Sequence, residues 1–131
     1  MRLYSSANWK DWRDEGLMID AARLPDDVWY KDRFWAPEIH KIRGRYYITF
    51  NSRNESEEHE HHHACGVAVA DEVTGPYKVL THDRPLTDWP SNDLTLFEDD
   101  DGNIRTHAPT YTPQEVPIDP EMLRRFPGLA E

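Results

Sequence analysis

The sequence predicts an all-β fold of short antiparallel strands with a four-stranded meander at its centre. Runs rich in aromatic, β-branched and small residues predict half-buried or buried strands, and turn residues separate them. The four strands of the meander are predicted at residues 37–42, 45–51, 64–70 and 77–80. Two short strands are predicted before the meander and two after it. Repeated meanders build a β-propeller, but a β-sandwich also uses short strands with turns, and periodicity does not separate the two.

The first two strands of the meander form the clearest predicted hairpin. Arg43-Gly44 lies between them, and glycine supplies the positive φ that a two-residue turn requires. The second strand, residues 45–51, is aromatic and β-branched, as suits a pleated sheet. Pro37 has no N–H for a ladder hydrogen bond, so it is expected at the start of the first strand or on an edge.

The remaining strands and loops follow from local patterns. Residues 64–70 predict a buried strand that holds Cys65, the single cysteine, as a buried unreactive thiol. Asp101-Gly102 predicts a second hairpin, between residues 94–98 and 104–107. Loops on the surface are predicted at residues 20–33, 51–63 and 81–92. The expected organisation is a partial β-fold over 1–107 and a proline-rich tail with a short helix over 108–131.

Composition narrows the classes of partner. The chain has 131 residues and a net charge of −10, so its acidic field disfavours nucleic acid. No apolar run approaches the roughly 20 residues that cross a bilayer, and no membrane partner is expected. The first residues lack the apolar core of a signal peptide, which leaves a cytoplasmic and a secreted parent protein both open.

Four segments, at residues 4–17, 34–50, 66–77 and 92–102, together resemble glycoside hydrolase family 43. Residues 34–40 and 44–50 resemble the opening of the second blade in that family, and residues 66–70 and 74–77 its closing strands. The segment 92–102 resembles the start of the third blade, and residues 4–17 the end of the first. The resemblance covers roughly residues 3–104.

The resemblance implies an incomplete five-bladed β-propeller with about one full blade and two partial blades. It also implies an inverting hydrolase of xylosides and arabinosides in plant polysaccharides, with a xylo- or arabino-oligosaccharide as the bound partner. A piece of a propeller leaves blade edges and apolar faces uncovered, so self-association through those edges is expected.

Three carboxylates serve catalysis in this family, and the resemblance matches one of them to Asp93. That residue would modulate the pKa of the general acid and orient the sugar. Asn92 and Leu94 flank it, whereas the family usually has an apolar residue before the Asp and Pro after it. An Asp at the start of a strand that caps the loop 81–92 is the alternative. By this resemblance, the general base would precede Met1. The Glu-Gly-Pro motif that holds the general acid in the family does not occur in the sequence. The 131-residue chain alone is therefore expected not to hydrolyse glycosides.

Two further residues are candidates for substrate binding. Trp35 matches an aromatic residue that borders the sugar subsite in the family, where a ring can stack on a sugar face. A core tryptophan between blades is the alternative. Glu38 is a candidate hydrogen-bond partner of sugar hydroxyls, and a salt bridge with Arg33 or Arg43 is the favoured alternative.

A histidine-rich loop raises a third kind of function. His59, His61, His62 and His63 stand among glutamates, and neutral imidazoles bind zinc, nickel or copper. A solvated loop that binds divalent metal only adventitiously is favoured, and no cofactor is expected. Three hypotheses thus remain: a family 43 hydrolase, a non-catalytic carbohydrate-binding or structural β-module, and a metal-binding protein.

Overall fold

A computed structural model describes residues 1–56, 63–86 and 91–107, which form three antiparallel sheets. The strands are β1 (Arg2–Ser5), β2 (Arg13–Leu17), β3 (Asp32–Ile42), β4 (Arg45–Arg53), β5 (Ala64–Ala70), β6 (Lys78–Val79), β7 (Thr95–Glu98) and β8 (Ile104–His107). A 3-10 turn covers Ala21–Arg23. The central sheet has the order β3-β4-β5-β6, flanked in sequence by the pairs β1-β2 and β7-β8. The predicted meander and both predicted outer strand pairs are therefore present.

The hairpin between β3 and β4 forms at the predicted turn. Ile42 pairs with Arg45, which leaves Arg43 and Gly44 as a two-residue loop. Their φ angles are 50° and 82°, and a type I′ turn requires positive φ at both positions. The loop between β7 and β8 likewise contains Gly102, at a φ of 75°.

Strand β3 begins five residues earlier than the predicted start at residue 37. The β3–β4 register has two irregularities, one after Asp32 and one after Trp35. They allow β3 and β4 to stay paired on the N-terminal side of Pro37. Arg33 and Ala36, within them, have positive φ angles of 47° and 41°. A β-bulge absorbs residues that cannot enter the ladder, and Pro37 lies at the second one.

Two other strand boundaries differ from the prediction. Strand β4 continues to Arg53 because Asp32 still pairs with it. The fourth strand is shorter than residues 77–80, since only Lys78 and Val79 pair with β5. The predicted tail over residues 108–131 lies outside the described residues.

The central sheet buries both faces. On one face, Ile48, Phe50 and Ala68 pack against Val28–Tyr30. The other face carries Tyr47, Cys65, Val67 and Val69. These side chains pack against Leu94, Leu96 of β7 and Ile104 of β8. All seven residues of β5 are buried as a consequence.

The prediction that residues 20–33 lie over the surface is wrong for Val28–Tyr30, which are buried. Trp29 Nε1 donates to the carbonyl of Thr81 at 2.6 Å, and Asn54 Nδ2 donates to the carbonyl of Val28 at 2.8 Å. Partners distant in sequence thus satisfy polar groups that would otherwise oppose burial.

Across the described ranges, no helix combines the length and apolar character that crossing a membrane would require.

Candidate functional site

Asp93 lies two residues before the start of β7 and is exposed. Its φ is 54°, a left-handed conformation that aspartate tolerates better than most residues. The next residue, Leu94, is only 1% exposed and belongs to the core shared with the central sheet. Core packing therefore anchors the backbone on one side of an exposed carboxylate.

Asn51 joins Asp93 to the region of Trp35. Its Nδ2 donates to Asp93 Oδ1 at 3.4 Å, while its backbone pairs with Trp35 across β3 and β4. Asn51 is 2% exposed. Two predicted site residues, 58 positions apart in sequence, are thus both neighbours of one buried asparagine. Nothing in the sequence around Asn51 marked it, since its position depends on strand register.

Cys65 and Ser91 complete the buried side of this group. Cys65 Sγ donates to Asn51 Oδ1 at 3.2 Å, and Ser91 Oγ donates to Cys65 Sγ at 3.2 Å. Burial raises the pKa of the Cys65 thiol to about 11, although hydrogen bonds from Ser91 and the Leu94 backbone favour the thiolate. The thiol is therefore protonated at neutral pH. The predicted burial is confirmed, and the hydrogen-bonding role was missed.

The ring of Trp35 is half-buried and contacts His63. Their centroids are 4.6 Å apart at an interplanar angle of 37°. The guanidinium carbon of Arg53 lies 5.9 Å from the Trp35 centroid, and its Nη1 is 3.2 Å from His63 Nε2. Arg53 also pairs with Glu55, which pairs in turn with Arg33. This network limits the orientations open to the Trp35 ring.

Glu38 does not form either predicted salt bridge. It is exposed, and its Oε2 lies 3.0 Å from His40 Nε2, because residues two apart on a strand share a face. Arg33 pairs instead with Glu55, and Arg43 with Glu98 at 3.5 Å. A role for Glu38 in sugar binding stays a prediction.

The histidine loop is only partly described. His63 contacts Trp35, while His59, His61 and His62 lie outside the described residues. Within the described part of the chain, no cluster of three or more His, Cys, Asp or Glu side chains has the geometry of a metal site. A solvated loop stays the favoured prediction, and metal binding stays its alternative.

Comparisons with known proteins agree on one family. The family model described as "Glycosyl hydrolases family 43" matches residues 1–105. The "Xylosidase/arabinosidase 43A" of Humicola insolens is 33% identical over 90 residues, which are 69% of this chain and 25% of that protein.

Solved structures give the same result. An endo-arabinase from Bacteroides thetaiotaomicron VPI-5482 is 28% identical with a TM-score of 0.66, over 79% of this chain and 34% of that one. The β-xylosidase/α-arabinofuranosidase CoXyl43 from a compost microbial metagenome, solved with xylotriose, is 30% identical with a TM-score of 0.56. That match covers 72% of this chain and 26% of CoXyl43.

The chain spans about a quarter to a third of the length of these relatives. Their likeness to the described sheets distinguishes the propeller from the sandwich. The four-stranded sheet and the two strand pairs form an incomplete β-propeller, as predicted. With its family model matched over residues 1–105 and its sheets arranged as in solved family members, the chain belongs to glycosyl hydrolase family 43.

Proposed function

We propose that this chain forms the part of a family 43 glycoside hydrolase that binds and orients a xylo- or arabino-configured sugar. In this proposal Asp93 orients the sugar and modulates the general acid, Trp35 stacks on a sugar face, and Glu38 bonds sugar hydroxyls. The observation that carries it is Asn51, whose amide contacts the Asp93 carboxylate and whose backbone pairs with that of Trp35.

The names of the relatives support the substrate class. Xylosidase/arabinosidase, endo-arabinase and β-xylosidase/α-arabinofuranosidase all denote enzymes of pentose-containing glycans. CoXyl43 was solved with xylotriose, a neutral oligosaccharide. A neutral ligand is compatible with a chain of net charge −10, because the acidic field does not repel it.

We propose further that the 131 residues alone bind sugar without cleaving it. Inverting hydrolysis requires an acid and a base on opposite sides of the glycosidic bond, roughly 6.5–9.5 Å apart. By resemblance, the base belongs to a position before Met1, and the sequence contains no Glu-Gly-Pro word. Asp93 alone cannot supply both proton transfers.

Titration of the purified chain with xylotriose and with arabinotriose tests the binding site. We expect saturable binding that Trp35→Ala and Asp93→Asn each weaken about tenfold or more, the loss of one good contact. Trp9→Ala is the matched control, because Trp9 is 84% exposed in a different sheet region and contacts Trp12. Equal affinity in all four proteins, or no binding by the wild type, would overturn the proposed site.

Hydrolysis is tested with nitrophenyl xyloside and nitrophenyl arabinoside. We expect no turnover above background. Turnover by the pure chain would refute the proposal that these 131 residues bind sugar without cleaving it. A genomic frame that reads into the acid and base words would favour an interrupted hydrolase over a non-catalytic module.

We also propose that the chain self-associates through its uncovered sheets. Four large apolar side chains with at least a third of their surface exposed belong to β1, β2 or the turn between them: Tyr4, Trp9, Trp12 and Leu17. Exposed apolar area of this kind promotes association.

A further inference from the structure

We infer that Asn51 is a positioning residue for the Asp93 carboxylate, and that the Cys65 thiol determines which end of the Asn51 amide faces it. The inference rests on the proposed function only for the meaning of Asp93 in sugar binding. The orientation of the Asn51 amide follows from the hydrogen bonds among Asn51, Asp93, Cys65 and Ser91 alone.

The direction of the hydrogen bonds determines the orientation of the amide. Ser91 Oγ donates to Cys65 Sγ, so the sulfur is already an acceptor and its own hydrogen is available. That hydrogen goes to Asn51 Oδ1 at 3.2 Å. The Nδ2 group is then left to face Asp93 Oδ1.

The opposite orientation would leave a group without its hydrogen-bond partner at each end of the amide. The Asn51 oxygen would face the carboxylate of Asp93, with no hydrogen between two acceptors. At the other end the Asn51 NH2 would face the thiol, and the Cys65 hydrogen would lose its acceptor, Asn51 Oδ1. Because Asn51 is 2% and Cys65 0% exposed, water cannot readily relieve either conflict.

The hydrogen bond from Asn51 is weak, which suits Asp93 as a residue that also binds a ligand. At 3.4 Å the Asn51–Asp93 bond is long, so it restricts the carboxylate without saturating it. Asp93 is exposed, so a sugar hydroxyl can reach its carboxylate. The left-handed backbone at Asp93 and the buried Leu94 fix the base of the side chain, and Asn51 restricts its tip.

The test measures the χ1 rotamer of Asp93 by three-bond NMR couplings and xylotriose affinity by titration. We expect one dominant Asp93 rotamer in the wild type and averaged rotamers in Asn51→Leu. Affinity for xylotriose should fall about tenfold in that variant. Thr49→Val is the matched control, since Thr49 is buried on the same strand face and its Oγ1 has no hydrogen-bond partner in the described structure. It should leave the rotamer and the affinity unchanged.

A second pair of variants tests the thiol and covers the case in which Asn51→Leu does not fold. Cys65→Ser keeps a donor toward Asn51 and should retain the single Asp93 rotamer. Cys65→Ala removes the donor and should give averaged rotamers. A single Asp93 rotamer in Cys65→Ala, or in folded Asn51→Leu, would overturn the inference.

The two proposals fail in different ways. If the wild type does not bind xylotriose, the proposed function fails, while the rotamer measurement still decides the role of Asn51. If Asp93→Asn loses binding but Asn51→Leu keeps both the rotamer and the affinity, the positioning role alone fails.

Discussion

A Cβ atom on Gly66 would lie 2.5 Å from Cζ of Phe50, the residue that pairs with it across β4 and β5. Phe50 is fully buried and cannot swing away. Its ring stacks with Trp29 at a centroid distance of 6.0 Å and contacts Phe34 at 5.5 Å. The absence of a side chain at Gly66 is therefore what admits the Phe50 ring to the core.

Gly66→Ala should destabilise the fold, because a methyl group would overlap a ring that its neighbours hold in place. We expect a loss of about 1–3 kcal/mol, the usual effect of overpacking, seen as a lower denaturation midpoint. Phe50→Leu in the same chain should recover part of that loss. With Phe50→Leu alone as the reference, purely additive effects of the two substitutions would contradict the contact.

The free energy of unfolding should decrease at acid pH in part because Glu55 becomes protonated. A hydrogen bond from Arg53, together with Arg33, lowers the pKa of the Glu55 carboxyl below its ordinary value of 4.5, against a smaller opposing effect of desolvation. A lowered pKa in the folded state stabilises the fold above the unfolded pKa, and this stability is lost as the pH falls through the folded value.

Denaturation curves between pH 3 and pH 7 should therefore show a smaller pH dependence in Glu55→Gln than in the wild type. Glu72→Gln is the control, because Glu72 is exposed in the turn after β5. The same profile in Glu55→Gln and the wild type would exclude a stabilising role for this network.

The native thiol of Cys65 should resist alkylation. Its pKa rises from 9.0 to about 11 through burial, which alone lowers the thiolate population near pH 8 about a hundredfold. We expect iodoacetamide to label the folded chain at least that much more slowly than the chain in guanidinium. Because Cys65 is the single cysteine, the label reports one site, and rapid native labelling would show that β5 is not protected.

Self-association should depend on the tryptophans of the first sheet region. Trp9 and Trp12 are 84% and 54% exposed, with ring centroids 5.8 Å apart. We expect sedimentation velocity at about 100 µM to show oligomers that Trp9→Ser/Trp12→Ser shifts toward monomer. Lys10→Ala, in the same turn, should leave the distribution unchanged. A monomeric wild type at that concentration would refute the proposal.

Local sequence determined the elements whose conformation depends on adjacent residues. Arg43-Gly44 indicated the turn because glycine accepts positive φ, and the small and β-branched residues of Ala64–Ala70 indicated a buried strand. Segments that resemble one family predicted the propeller blade, which strand periodicity alone does not distinguish from a sandwich.

Only the tertiary structure decided which distant residues meet. The bulges of β3 set the register that pairs Trp35 with Asn51. Packing of Leu94 brings Asp93 to the side-chain amide of Asn51. Burial of Val28–Tyr30 likewise depends on partners more than 20 residues away. Register and cross-sheet packing are non-local, because they depend on how whole strands align, and no short sequence window contains that information.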